Sequence, residues 1–538
     1  MDLSSQSVSK PLHEMLRDHA RCDGAMPALV WYGAELSYAK LDQASDAFAA
    51  RLTALGVSKG DPVVLFMNNC PQFVVAAFGI QKLGAIVCPC SPLNREHELA
   101  YQMGDLQNRV VVVAEELVPL VNKVRSQTAV DHVFGVRYAE LLPETASIPL
   151  PEELQQGARS GGWPAGVEDF WQAATSGASA PRVAIDLAND VALITYTSGT
   201  TGLPKGAMLT FGNARYKATA LVETRRLGVG DVLLSTAPLY HIAGMLMGVA
   251  APVAAGATNV ILHRFEASAV LQAIVRYRVA FWYSMTPMNL AVMALPEAQD
   301  ADLSSLRQNP VTSFGVQFTQ EIAARWQAFV PQCFVAEGTY GLSETHGMDT
   351  CVPLDDDVRW GTHGKALPGT EIRIVDPATR KPVALGETGE VAIRSPGVFK
   401  GYLHRDDATA EILQDGWLYT GDTGRLDEDG YLTFIGRFKE MIKVSGYSVF
   451  PEEVEVILIK HPDVAQAAVV SQPDDSKGER IIAFIVPRPG AAPDLAQMRV
   501  WSRENMAPYK VPQDFRTIDV LPATGAGKVL RRLLLDQL

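Results

Sequence analysis

The sequence predicts an α/β protein of at least two domains, and three observations carry that prediction. Along the first part of the chain, apolar strand-like runs alternate with helix-spaced segments across short Gly or Pro breaks, the pattern of parallel sheets covered by helices. Late in the chain a well-punctuated helix followed by two apolar strands opens a smaller α+β unit of roughly 100 residues. The length of 538 residues is several times the roughly 100 to 200 residues of a typical domain, so each unit can bury a core of its own.

Taken in order, YAKLDQASDAFAARLTALGV has helical spacing and stops at Gly56, after which PVVLFM reads as a buried strand. PQFVVAAFGIQKLG is then a helix and AIVCPC a second strand, and the alternation recurs around RVVVVAEELVPLV. ARSGGWPAG, near Gly161, reads as a surface loop. Residues 245–262, MLMGVAAPVAAGATNVIL, hold no charge over 18 residues, close to the length of a short membrane span. Their Ala, Gly and Val content, interrupted by Pro252 and Gly256, predicts instead a buried helix that breaks and turns into a core strand. Further on, FPEEVEVILIKHPDV places Pro451 in a first helical turn, Glu452 and Glu453 at the positive helix start, and Lys460 and His461 at its end. The strands AQAAVVS and RIIAFIVP and a helix near LAQMRVWSRENM complete the small unit, with the join expected near Arg437 to Lys439.

Composition narrows the function classes. With 47% hydrophobic and 20% charged residues the chain is an ordinary globular protein, and its formal net charge of -13 argues against a broad nucleic-acid surface while leaving room for a local basic pocket. The six cysteines, Cys22, Cys70, Cys88, Cys90, Cys333 and Cys351, show neither metal-ligand spacing nor a disulfide framework. Cys88 and Cys90 are expected to be buried structural thiols at a strand end. The first 20 residues lack the basic start and apolar core of a secretion signal, so a reducing cytoplasm is the expected compartment.

One stretch asks for a ligand. VALITY reads as a strand, and TSGTTGLPKG cannot continue it, because three glycines and a proline favour turn geometry. The resulting loop offers uncrowded backbone N–H groups, the hydroxyls of Thr197, Ser198, Thr200 and Thr201 around Gly199, and the cation of Lys205, which together match phosphate oxygens. A solvated turn is the plain alternative; the preceding strand and the lysine favour a polyphosphate. It is not a standard P-loop, since Lys205 lies between Pro204 and Gly206, and PATGAGKV has Pro522 in place of the first glycine and Val529 after Lys528.

YTSGTTGLPKGAMLT resembles the phosphate-loop signature of adenylate-forming enzymes, the superfamily of acyl-CoA synthetases, peptide-synthetase adenylation domains and beetle luciferases. PLYHIAGM, TYGLSET, GETGEVAIRSPGVFKGYL, GWLYTGDTG, GRFKEMIKVSGYSVFPEEVE and LPATGAGKVLRR follow in the superfamily's order and extend the resemblance over most of the chain. It implies an N-terminal AMP-binding domain over 1–436 with a β-barrel-like subdomain, a hinge at 437–439 and a mobile C-terminal domain over 440–538. It also implies ATP, Mg2+ and coenzyme A as the small-molecule set.

Roles follow by position. Lys528 matches the adenylation lysine that bridges carboxylate and α-phosphate, and Glu344 the residue that helps hold magnesium, with Ser343 as a hydroxyl contact to phosphate. Asp422 matches the carboxylate on both ribose hydroxyls, Arg437 a ribose or phosphate contact, and Tyr340, beside Gly341, a residue expected to stack near adenine. Lys439 matches the hinge about which the small domain swings to present Lys443, Ser445, Gly446 and Tyr447 to coenzyme A. His241 matches a histidine beside the acyl pocket, with a satisfied structural histidine as the alternative. That pocket is expected to draw on Gly244, Met245, Met247, Ser284 and Gly315. Phe211 and the stretch from Thr312 to Phe318 depart from the superfamily pattern, where a histidine and a Gly/Ala-Pro-rich turn are usual.

The expected activity is an ATP-dependent acid:CoA ligase giving acyl-CoA, AMP and pyrophosphate, on a medium- or long-chain fatty or other hydrophobic acid. An aryl acid, transfer to a carrier-protein thiol, and nucleotide binding without turnover are the alternatives. Members of the superfamily often dimerise, although no helix here carries an unmistakable interface stripe.

Overall fold

Short apolar runs bounded by Gly or Pro become the strands of two eight-stranded, mostly parallel sheets. The computed structural model describes residues 10–155, 161–197, 204–313, 316–444, 447–474, 478–524 and 527–538, without the side chains of Lys439, Lys443, Tyr447 and Ser448. In the first sheet the strands run Gly401–Tyr402, Lys205–Thr210, Val191–Thr197, Ile86–Cys90, Pro62–Phe66, Val110–Ala114, His132–Val136 and Val167–Asp169 from edge to edge. Its two strands nearest the phosphate loop are joined antiparallel, with Thr197 opposite Lys205, and Tyr402 pairs with Ala207 on the outer side. Cys88 and Cys90 are buried in the strand Ile86–Cys90.

The second sheet is ordered Ser284–Met285, Gln308–Thr312, Phe281–Trp282, Val232–Ser235, Thr258–Ile261, Pro27–Trp31 and Ala34–Ser37, and Phe334–Glu337 also pairs with Gln308–Thr312. Helix Pro71–Lys82 is buried at every position, as a segment apolar all round must be. Its one charge, Lys82, is neutralised by Asp42 at 2.6 Å and Asp46 at 2.7 Å.

Residues 245–262 fold inward as their composition predicts: helical turns run through Ala255, Gly256 reverses the chain at φ +67°, and Thr258–Ile261 is a core strand. No helix among the described residues is long and apolar enough to cross a membrane. Unforeseen in the sequence, Met245–Ala250 is a π-helical turn, a widened geometry found frequently at functional sites.

A five-stranded antiparallel sheet of Glu371–Val375, Gly389–Arg394, Trp417–Leu426, Leu413–Gln414 and Leu432–Arg437 stands where the resemblance implied a barrel-like subdomain. After the turn Phe438–Glu440 the chain builds a second five-stranded sheet from Ile442–Val444, Tyr447–Val449, Val464–Asp474, Gly478–Pro487 and Asp514–Thr517. Alternation along its strands gives it two apolar faces: one buries Val469, Ile481 and Ala483 with Val454, and the other buries Val470, Ile482 and Phe484. The helix that opens this domain spans Pro451–Leu458. It ends before Lys460 and His461, because His461 precedes Pro462, which disfavours helical geometry there.

Candidate active site

Strand ends from both sheets, the antiparallel sheet and the C-terminal domain meet around one cleft of about 1860 Å3, larger than the roughly 300–1,000 Å3 of a single small-molecule pocket. Thr197, Lys205, His241, Tyr340, Gly341, Ser343, Glu344, Asp422, Arg437 and Lys528 all line it. Ser198, Gly199, Thr200, Thr201, Gly315, Ser445 and Gly446 lie outside the described residues, as do the side chains of Lys443 and Tyr447.

Strand register fixes the nucleotide end. Asp422 and Arg437 face each other on paired strands, with Arg437 Nε 3.1 Å from Asp422 Oδ1, and the Tyr340 hydroxyl donates to Oδ2 at 2.7 Å. Asp422 is only 2% exposed. Burial pushes its carboxyl above the usual range, opposed chiefly by the positive charge of Arg437. Tyr340 packs against Phe434 with ring centroids 5.7 Å apart.

Glu344 sits in the turn Ser343–Thr345, and its Oε1 accepts from the Tyr402 hydroxyl at 2.6 Å. The Lys205 ammonium lies 5.0 Å from the centroid of the same Tyr402 ring. Behind the turn, Lys217 and Asp349 form a fully buried ion pair at 2.5 Å, and the Thr345 hydroxyl donates to the Asp349 carboxylate. A charge pair with further hydrogen bonds is the form in which burial is tolerated. It ties helix Phe211–Thr224 to the loop that carries Glu344. Gly341 is required for closeness: a Cβ there would stand 1.6 Å from the Gly347 carbonyl oxygen.

Lys528 reaches the cleft from the C-terminal domain. Burial lowers its pKa, the charge of Arg437 adds to the effect, and Glu440 and Asp422 oppose it. Three residues on, Arg531 is held by Glu440 at 2.6 Å, Glu455 at 3.0 Å and Glu452 at 3.1 Å.

His241 caps the helical turn Ile242–Gly244, its Nδ1 accepting from the Ala243 N–H at 3.3 Å. That bond leaves Nε2 to carry the proton. Burial, with the charge of Lys528 adding to it, pushes the imidazole down to about 4, so it is neutral at pH 7. A second pocket of about 20 Å3 opens on its other side among Thr236, Ala237, Tyr283, Ser284, Met285 and Met288. Gly244, Met245 and Met247 are buried and line neither cavity; a Cβ on Gly244 would lie 1.9 Å from the Pro238 carbonyl oxygen. Phe211 is buried edge-on against His13, away from the cleft, whereas Thr312, Val316 and Phe318 line it. Tyr402, the Lys217–Asp349 pair, Arg531 and Glu337 were not singled out from the sequence; Tyr402 and Arg531 stand inside the quoted motifs, while the others carry no local signal.

Comparison with known proteins gives the family. A family model described as AMP-binding enzyme matches residues 16–403, and one described as AMP-binding enzyme C-terminal domain matches residues 453–528. The chain is 34% identical over 520 residues to a long-chain-fatty-acid–CoA ligase of Salmonella typhimurium, covering 95% of this chain and 91% of the relative. It is 32% identical over 540 residues to 4-coumarate–CoA ligase 5 of Oryza sativa subsp. japonica, covering 97% and 93%. Its structure is similar to that of an anthranilate CoA ligase in complex with anthranoyl-AMP, with TM-score 0.84, 27% identity and coverage of 100% and 99%. The chain belongs to the AMP-binding enzyme family, as an adenylate-forming acyl-CoA ligase.

Proposed function

We propose that this ligase joins a hydrophobic carboxylic acid to coenzyme A in two half-reactions at the one cleft. In the first, an oxygen of the acid attacks the α-phosphorus of ATP, and the bond to pyrophosphate breaks to leave acyl-AMP. Two anions must meet, so stabilising positive charge is the main catalytic demand. Lys528 supplies it between carboxylate and α-phosphate, Lys205 faces the outer phosphates, and Asp422 accepts from the ribose hydroxyls. In the second, the thiol of coenzyme A adds to the acyl carbon and AMP leaves. The neutral His241 donates through Nε2 to the acid carboxylate in the first step.

One carboxylate together with substrate phosphates is the oxygen set that Mg2+ takes, and Glu344 is the residue that would hold it, with Tyr402 fixing its orientation. No group of three or more protein metal ligands is found among the described residues, which suits an ion that arrives with the nucleotide and offsets its charge. Six free cysteines, five of them buried, support a cytoplasmic location.

The convergence of Lys528, Asp422, Arg437, Glu344 and His241 on one cleft carries this reading. A second reading for the acid, an aryl acid, is supported by Phe318 and Tyr283, which line the two cavities that His241 also lines and offer faces on which an aromatic ring can stack. The test is incubation with Mg2+, ATP, coenzyme A and a panel of fatty and aryl acids, followed by mass spectrometry. AMP with one acyl-CoA is the expected result and identifies the acid; ADP would exclude adenylation, and acyl-AMP, or AMP from its hydrolysis by water, without a CoA thioester would point to another acceptor such as a carrier-protein thiol.

A further inference from the structure

Beyond His241 the cleft wall carries polar side chains beside the apolar Val316 and Phe318. Glu337 ends the strand Phe334–Glu337 and pairs in register with Val311; Ser313 follows the neighbouring strand Gln308–Thr312. Glu337 Oε1 accepts from the Ser313 N–H at 3.1 Å, and Oε2 accepts from the Ser313 hydroxyl at 2.5 Å. Both residues line the cleft. One strand further, Met285 pairs with Thr312, whose hydroxyl is 2.8 Å from that of Tyr283. Tyr283 in turn borders the small pocket it shares with His241, and its hydroxyl senses the charge of Glu337. His241, Tyr283, Thr312, Ser313 and Glu337 therefore follow one another along the C-terminal ends of parallel strands, where ligands of such sheets bind.

We infer that the acid carries a hydroxyl or amino group remote from its carboxylate, and that Glu337, held by Ser313, receives it. This rests on the acid:CoA ligase reading above. Each Glu337 oxygen accepts one bond from Ser313 and keeps acceptor capacity for another. Burying a carboxyl costs free energy that hydrogen bonds must offset, and burial pushes Glu337 up to about 7. A plain alkyl chain placed against Glu337 would deepen that cost, whereas a donor on the acid would offset it. A carboxyl that only braced the Ser313 turn would give no discrimination between acids.

The experiment compares kcat/KM for AMP formation within matched pairs: benzoate and 4-hydroxybenzoate, cinnamate and 4-hydroxycinnamate, octanoate and 8-hydroxyoctanoate. Wild type should favour the hydroxylated member of at least one pair by about 10-fold or more, in keeping with the loss expected when a site built for a hydrogen bond meets an analogue without it. In Glu337→Leu that ratio should fall towards one, with Glu337→Gln between the two. If the Leu variant does not fold, as judged by its melting curve, Ser313→Ala and Glu337→Gln must still lower the ratio. Equal rates within every wild-type pair, or a ratio that survives these changes, overturns the subsite and leaves the ligase reading standing. Absence of AMP with every acid overturns both.

Discussion

Lys528 is the residue on which the two half-reactions should part. Its charge is needed only where two anions approach, so Lys528→Ala is expected to slow acyl-AMP formation about 100- to 1,000-fold, the usual loss for one preorganised electrostatic group. Thioester formation from preformed acyl-AMP should be largely spared; an equal loss in both steps would remove Lys528 from the chemistry. Its charge also predicts a pH limb. Burial and Arg437 lower the Lys528 pKa from 10.5, so the charged form is lost as pH rises through a value below the ordinary lysine range. The kcat/KM for adenylation, which follows the ligand-free enzyme, should therefore decline on the alkaline side before pH 10.5, and a limb at or above that value would contradict the burial argument. His241, already neutral above about pH 4, should add no inflection near its ordinary value of 6.5.

At the scale of elements, the short hairpin of Gly341–Leu342 and Gly347–Met348 positions Ser343 and Glu344. Because a Cβ at Gly341 would stand 1.6 Å from the Gly347 oxygen, Gly341→Ala must spread the hairpin. Overpacking of this kind costs about 1–3 kcal/mol, so a lower melting temperature together with roughly a 10-fold loss of AMP formation is expected; unchanged values for both would show that the hairpin yields freely. The parts of the fold legible in the sequence were those written locally: apolar runs, Gly and Pro breaks, and the capped helix at Pro451. The site was legible where a motif resembled a known one. Tyr402 meets Glu344 across 58 positions of sequence, and Lys217 meets Asp349 across 132, so neither partnership has a local signature. The π-helical turn after His241 has no local signature either, since its Met, Leu and Ala residues would suit an ordinary helix.

For the whole molecule, the C-terminal domain completes the cleft by bringing Lys528 to it, and we propose that it rotates about Lys439 between the half-reactions. Lys528 lines the cleft within electrostatic reach of Asp422 and Arg437, an arrangement that suits the first half-reaction. The C-terminal domain approaches the preceding strand so closely that a Cβ on Gly436 would lie 2.7 Å from Glu452 Oε2 and 2.9 Å from the Phe450 ring. The turn between them, Phe438–Glu440, is closed by the Met441 N–H on the Phe438 carbonyl, a bond that does not use the Lys439 N–H. Proline fixes φ near about −65°, a value within the range of such a turn, at the cost of crowding the helical geometry of Phe438 before it. Lys439→Pro should resist the backbone change that the proposed rotation requires. Acyl-AMP formation should then change by less than about threefold, while conversion of preformed acyl-AMP and coenzyme A to thioester falls by roughly 10-fold or more, the reverse of the Lys528→Ala pattern. Each half-reaction can be followed separately, by pyrophosphate release without coenzyme A and by thioester formation from synthetic acyl-AMP. Equal losses in the two assays would mean that the proline distorts the domain junction, and that one fixed arrangement serves both steps.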